Sequence, residues 1–323
     1  MTIVPAARTW VPSYLLLAVF WGCSFALIEI GLRSLTPVGV ALVRLVLGAL
    51  TLLLISAVTR TALPPRSTWR HLLVVATLLN AVPFVLFAYG ETHVSSSLAG
   101  IVNAATPLAT LAVVLLAFPE ENPTRERLAG LAVGFTGVVT VLGLWRGLGS
   151  GQWLGVAACG AAVCCYGIAF PYARRYLSGT AGALSLATGQ TTIATVLLLP
   201  AAAVTGVVQD MLTWAVVLAM LGLGCLGTGI AYILNFTVVT RAGGTVASTV
   251  TYLTPVVAVG VGVGLLGENL RWNEPLGAAV VVLGAALAQG RLTRTRRADV
   301  APVPAAPSSG TVDQARDDAT SSR

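Results

Sequence analysis

Two side chains carry charge where the surrounding sequence is apolar: Glu29, in a run over 12–32, and Arg44, in a run over 36–58. A charge at membrane depth costs about 2.5–3.5 kcal/mol on insertion scales, so its presence asks for a reason. An arginine there can anchor a carboxylate; a glutamate can carry a proton or pair with the arginine. If successive runs cross in opposite senses, Glu29 lies about three residues below the shared end and Arg44 about eight, or roughly 12 Å at 1.5 Å per residue. A snorkelling arginine spans part of that gap. A structural Glu29–Arg44 pair and a separate role for each both remain open.

Uncharged polar and aromatic residues supply the rest of a candidate pocket. Asn80 and Phe84 share a helical face, as do Thr228 and Tyr232. Asn103 stands one turn before Pro107, and Thr251 and Tyr252 just before Pro255. Trp21, Phe25 and Tyr166 add rings in the first and sixth runs. A polar group at mid-membrane needs a partner or water. A chamber with aromatic walls and few polar groups suits small amphipathic solutes. The substrate-binding set is therefore Trp21, Phe25, Arg44, Asn80, Phe84, Asn103, Tyr166, Thr228, Tyr232, Thr251 and Tyr252; interhelical packing is the alternative for each. Pro107 and Pro255 each remove a backbone hydrogen bond and could act as hinges.

Other chemistry finds little support. Cys23, Cys159, Cys164, Cys165 and Cys225 lie in apolar runs without metal-ligand or disulfide-framework spacing, and His71 and His93 have no ligand cluster beside them. No metal or other cofactor is expected. There is no H-E-x-x-H or Ser–His set, so an enzyme is not expected, and no Walker A sequence, so ATP does not drive this chain.

The elements that must hold the pocket follow from composition. Of 323 residues, 56% are hydrophobic and 10% charged, against about 25% charged in soluble domains. Lipid has to be the solvent for most of that surface. Ten runs are long enough to span: 12–32, 36–58, 70–89, 93–118, 127–145, 152–172, 181–205, 212–235, 243–266 and 274–290. They are continuously apolar, which excludes the alternation of a β-barrel and requires helices. All nineteen basic residues are arginine. They sit mostly between the runs, which argues for membrane topology and against a nucleic-acid surface. Thirteen arginines fall on the side of the N-terminus and three on the other, so both termini are expected in the cytoplasm of a plasma-membrane protein. Residues 1–11 form a cytoplasmic N-terminus, and 291–323 a disordered cytoplasmic tail rich in Pro, Ala, Ser and Asp.

The runs divide into two similar sets of five, over 12–145 and 152–290. Trp21-Gly22 and Phe25 align with Tyr166-Gly167 and Phe170, and Arg44 with Gln190. Pro107 aligns with Pro255, and Glu120 with Glu268. An odd number of spans per set makes the second copy enter the bilayer upside-down, which puts a binding site at mid-depth between them. The Gly130-x-x-x-Gly134 and Gly260-x-Gly262-x-Gly264 sets are expected at close helix contacts. Glu120 and Glu268 are expected to complement the N-terminal dipoles of helices five and ten.

These landmarks resemble the EamA family of the drug/metabolite transporter superfamily. The resemblance rests on Trp21, Gly22 and Phe25, on Arg44, on Pro107 with Glu120 and Pro255 with Glu268, and on Gly130, Gly137, Gly277 and Gly284; it covers roughly residues 12–290. It implies a ten-helix metabolite transporter, often an exporter of amino acids or related compounds. The expectation is an all-α membrane protein of ten transmembrane helices in two inverted repeats. It would move small metabolites such as amino acids or amphipathic drugs by alternating access. Its partners would be a small solute and the bilayer, and nothing demands an oligomer. A non-transporting membrane sensor or assembly protein is the alternative.

Overall fold

The computed structural model describes residues 10–117, 124–143, 151–242, 247 and 250–288. Glu120, Arg8, Arg146 and the tail beyond 288 fall outside them. Among the described residues there are helices and no strands, and the helices make ten segments. These are α1 (Val11–Leu32), α2 (Pro37–Val58), α3 (Arg66–Glu91), α4 (Ser96–Asn103 continued by Thr106–Ala117) and α5 (Arg125–Leu142). The second set comprises α6 (Gln152–Leu177), α7 (Ala183–Thr205), α8 (Trp214–Leu221, Gly222–Ile230 and Ala231–Ala242), α9 (Val250–Leu266) and α10 (Asn273–Ala288). Seven of them (α1 to α4 and α6 to α8) are long and apolar enough to cross a membrane, and α9 and α10 are shorter apolar helices. Helix α5 opens on Arg125, Glu126 and Arg127, an interfacial first turn on an otherwise apolar rod.

The surface agrees with a lipid solvent. Val204, Leu116 and Leu265 are each more than 80% exposed. Inside, Leu17, Leu45, Leu52 and Leu223 are fully buried between helices. Lipid tails are as apolar as these side chains, so close van der Waals fit rather than expulsion from water holds the helices together.

Contacts at one end fix the directions of the helices. Thr36 Oγ1 donates to the Gly206 carbonyl at 2.8 Å, and Ser34 Oγ to the Met211 carbonyl at 2.7 Å. Gln209 Nε2 donates to the Leu32 carbonyl at 2.8 Å. These bonds tie the α1–α2 turn to the α7–α8 connection. Glu268, just past α9, sits on the first turn of α4. Asn273, opening α10, donates to the carbonyls of Thr140 and Val141 at the end of α5. The odd-numbered helices α1, α5, α7 and α9 therefore end where the even-numbered α2, α4, α8 and α10 begin.

Thr36 also accepts the Gly39 amide at 3.0 Å as the N-cap of α2. Losing a cap costs about 0.5–2 kcal/mol, and the bond to Gly206 adds about 1 kcal/mol. Thr36→Val is expected to lower the melting temperature of the purified protein by several degrees. An unchanged melting curve would show that this end is not held by Thr36.

Glycine-mediated crossings occur in related pairs. Gly22 of α1 packs on Val257 and the Thr254 carbonyl of α9, and Gly167 of α6 packs on the Ala109 backbone of α4. Gly130 of α5 meets Gly284 and Ala288 of α10, while Gly277 of α10 meets Gly137 and Val141 of α5. Helices α5 and α10 run antiparallel through these contacts. Gly134 accommodates Leu108 of α4. The second glycine set behaves differently: a Cβ added at Gly260 or Gly264 would meet nothing within 4 Å, and only Gly262 is enclosed, by Ser97 and Glu268. The first two of these residues face away from neighbouring helices, so the spacing alone overstated the packing.

Candidate functional site

Helices α3 and α8 are each interrupted by π-helical turns, Thr77–Ala81 and Gly222–Ile230. A π-turn adds a residue to the helical repeat and redirects the side chains that follow, and such turns concentrate at functional sites. The two stretches carry Asn80 and Thr228, 148 residues apart, with Phe84 and Tyr232 one turn later at the same separation. The corresponding residues of the two halves thus meet at one place. Arg44 of α2 donates from Nε to Thr228 Oγ1 at 2.9 Å, and its guanidinium carbon stands 3.8 Å above the Phe84 ring. Asn80 Nδ2 donates to the Tyr232 hydroxyl at 2.8 Å.

Around this centre lies a cavity of about 600 Å³. Trp21, Phe25, Arg44, Phe84, Asn103, Tyr166, Thr228, Tyr232 and Thr251 all line it. Two expected members do not. Asn80 is fully buried behind the wall and orients Tyr232. Tyr252 turns away and packs against the cluster of Ala104, Leu108, Val281 and Ala285. Adjacent helical residues point about 100° apart, and the rotation of α9 sets Thr251 toward the chamber and Tyr252 toward α10 and α4. Lining residues outside the expected set include Ser24, Phe87, Thr106, Gln190 and Asn235. Gln190 was recognisable as the counterpart of Arg44. The others carry no signal in spacing.

The cavity is closed at one end, where Ile28 and Phe87 are buried, and open at the other between exposed Arg174, Ser178 and Gly179 of the α6–α7 turn. The wall at Asn103 is irregular. The amides of Ala104 and Ala105 bond back three residues, to Ile101 and Val102, and the helix resumes at Thr106 just before Pro107. Pro255 lies in the uninterrupted α9 and is buried. The break in α4 has no equivalent in the described part of α9, so the paired prolines do not produce paired kinks.

Arg44 is 8% exposed. Among the described residues no carboxylate lies within ion-pair distance of it, so the cavity holds a buried cation whose counter-charge is missing. Glu29 is not its partner, because Glu29 faces Glu268 at the closed end instead. The two helices do approach, but the arginine points into the chamber and stacks on Phe84.

The closed end holds more charge than expected. The sequence reading ends the third span at residue 89, but α3 runs on to Glu91 and buries it to 7% exposure. Glu268 does complement a helix N-terminus, though of α4 rather than α10. One carboxylate oxygen accepts the Ser96 amide at 2.8 Å and the Ser96 hydroxyl at 2.7 Å; the other accepts the Ser97 amide at 3.1 Å and the Ser97 hydroxyl. Burial by itself raises the Glu268 carboxyl, but the hydrogen bonds from Ser97 and Ser96 outweigh it and hold it below its ordinary value.

A model described as the EamA-like transporter family matches residues 8–143 and again 153–289. Protein PagO of Salmonella typhimurium is 29% identical over 130 residues, 40% of this chain and 42% of that protein, so that match spans less than half of PagO. The uncharacterized inner membrane transporter YedA of Escherichia coli K12 is 28% identical over 293 residues, 89% of this chain and 93% of YedA. A crystal structure has the same fold, with a TM-score of 0.63 at 17% identity over 88% of this chain and 99% of the other. With the family model matching twice over nearly the whole helical part, this multi-pass membrane protein belongs to the EamA-like transporter family.

Proposed function

We propose that this chain is a secondary transporter for small amphipathic solutes bearing a carboxylate, amino acids among them, and that it works by alternating access between two inverted five-helix repeats. The observation that carries the reading is Arg44, a buried cation with no ion-pair partner among the described residues, in a chamber walled by aromatic rings. A planar guanidinium binds a carboxylate through two parallel hydrogen bonds. Trp21, Phe84 and Tyr166 offer rings to an apolar tail, and Asn103 and Asn235 offer polar groups to an amine or hydroxyl.

The repeats are 12–145 and 152–290, each of five transmembrane helices. The related glycine crossings support this reading: exchanging counterparts turns the Gly22–Val257 contact into Gly167–Ala109, and Gly130–Gly284 into Gly277–Gly137. The antiparallel course of α5 and α10 agrees with copies of opposite sense. With both termini in the cytoplasm, on the arginine distribution, the cavity faces inward, as an exporter must when it loads. Pro107, beside the irregular turn of α4, is the hinge we favour, and Pro255 its partner in the second repeat.

Purified protein should be screened by thermal shift against amino acids, nucleosides and cationic drugs. A ligand at 100 times its Kd stabilises by about 2.7 kcal/mol. Carboxylate-bearing amphipaths are expected to raise the melting temperature, and Asn103→Ala to weaken that response. Stabilisation by the cationic drugs alone would refute the carboxylate assignment.

A further inference from the structure

The closed end of the cavity carries carboxylates that the solute reading does not use. Glu91 is 7% exposed, and neither of its carboxylate oxygens has a hydrogen-bond partner. One buried oxygen of Glu29 is likewise without a partner. Glu268 is fully satisfied by Ser96 and Ser97, and Glu29 interacts directly with it. Three acids from α1, α3 and the α9–α10 turn therefore converge. Facing them are Arg33 just past α1, Arg44 of α2, Cys159 of α6, Arg271 just before α10 and Glu274 in its first turn.

An ionised carboxylate buried without donors is too costly to persist, whereas the protonated acid has one hydrogen to give and far less solvation to lose. Two carboxyl groups in contact cannot both be ionised; they share a proton. With Glu268 held ionised by four donors, the proton of that pair belongs to Glu29. We infer that Glu91 and Glu29 form a proton-binding site at the closed end, loaded in this inward-facing form.

Glu91 also lies within electrostatic reach of Arg44. Protonated, it leaves the arginine free for an anion; ionised, it competes as an internal counter-charge. Resting on the carboxylate reading above, this makes proton and solute reinforce each other's binding, by linkage. Glu268 joins the second repeat to α4 of the first. Deprotonating its neighbours would set like charges against this latch and favour its release.

The test is infrared spectroscopy of the full chain in phosphatidylcholine vesicles at neutral pH, as a difference between wild type and variant. Glu91→Gln is expected to remove the carbonyl-stretch band of a protonated carboxylic acid, and Glu29→Gln a second one. Glutamine has the shape of the protonated acid and preserves the packing. Glu91→Asp, a second variant, should keep the Glu91 band at a shifted frequency. Loss of an ionised-carboxylate band in Glu91→Gln would overturn the assignment. So would a protonated-acid band that vanishes when choline chloride is replaced by sodium chloride, which would mark a sodium site. None of these readings needs a solute. A proton site that survives while no carboxylate ligand stabilises the protein would refute the transport reading alone.

Discussion

Arg44→Met is expected to abolish solute-dependent stabilisation and flux while leaving the folded protein at least as stable as wild type. The two halves of that statement have separate causes. Removing one partner of a buried charge pair costs about 2–5 kcal/mol, which lowers affinity by roughly thirtyfold to a few thousandfold. For the empty protein the sign reverses. Arg44 is desolvated, its Nε hydrogen bond goes to a neutral hydroxyl, and its ion-pair partner is absent among the described residues. Methionine keeps an unbranched apolar stem and places a polarisable sulfur over Phe84. Thr228 is not orphaned, because its hydroxyl also donates to the Leu223 carbonyl at 3.2 Å. A structural arginine gives the opposite pattern, in which the variant melts early. Arg44→Lys separates charge from shape: it retains the cation but loses the planar fork and the ring stack. Its affinity should fall between wild type and Arg44→Met. Melting curves with and without an amino-acid ligand, and flux in vesicles of the same preparations, decide the matter. Arg44→Met protein that still transports would end the carboxylate reading.

The contrast between Arg44 and Glu91 shows what the sequence could reveal. Arg44 stands in the middle of an apolar run, where charge is conspicuous. Glu91 stands at the end of one, beside Thr92 and His93, where a chain entering the headgroup region looks the same as a chain still buried. Only the packing of α6 against that end, with Gly155 against the Gly90 carbonyl, encloses it. The family and the helical character were legible because they rest on hydropathy and ordered landmarks. The meeting of Arg44, Thr228 and Phe84 was not, although each residue was singled out. It depends on π-turns, and a π-turn leaves little trace in a glycine-rich stretch such as Gly222–Ile230. Tyr252 was misplaced for a simpler reason: it stands about 100° around α9 from Thr251, and nothing in the residue types says which of the two lies on the chamber side.

The glycines of α5 and α10 give the second large effect. A methyl group at Gly284 would stand 2.8 Å from the Gly130 carbonyl oxygen and nearer still to the backbone of Gly134. At Gly277 it would stand 2.5 Å from the Val141 amide nitrogen and 2.8 Å from the Gly137 carbonyl. The obstacles are main chain, which cannot rotate aside as a side chain can. Overpacking a core against movable side chains costs about 1–3 kcal/mol; against rigid backbone the two helices have to part. Parting them strips the bonds from Asn273 to the Thr140 and Val141 carbonyls, at 3.1 and 2.9 Å. Gly284→Ala is therefore expected to cost at least about 3 kcal/mol, and Gly284→Val to leave no monodisperse protein after extraction. Gly260→Ala and Gly264→Ala are the controls, since open space surrounds both positions. Each should be neutral or gain up to about 1 kcal/mol, because alanine favours the helix over glycine by that amount. Size-exclusion profiles and melting temperatures of the four variants read the difference. If Gly284→Ala behaves like Gly264→Ala, then α5 and α10 do not pack through their backbones, and the pairing that relates the two halves loses its main contact.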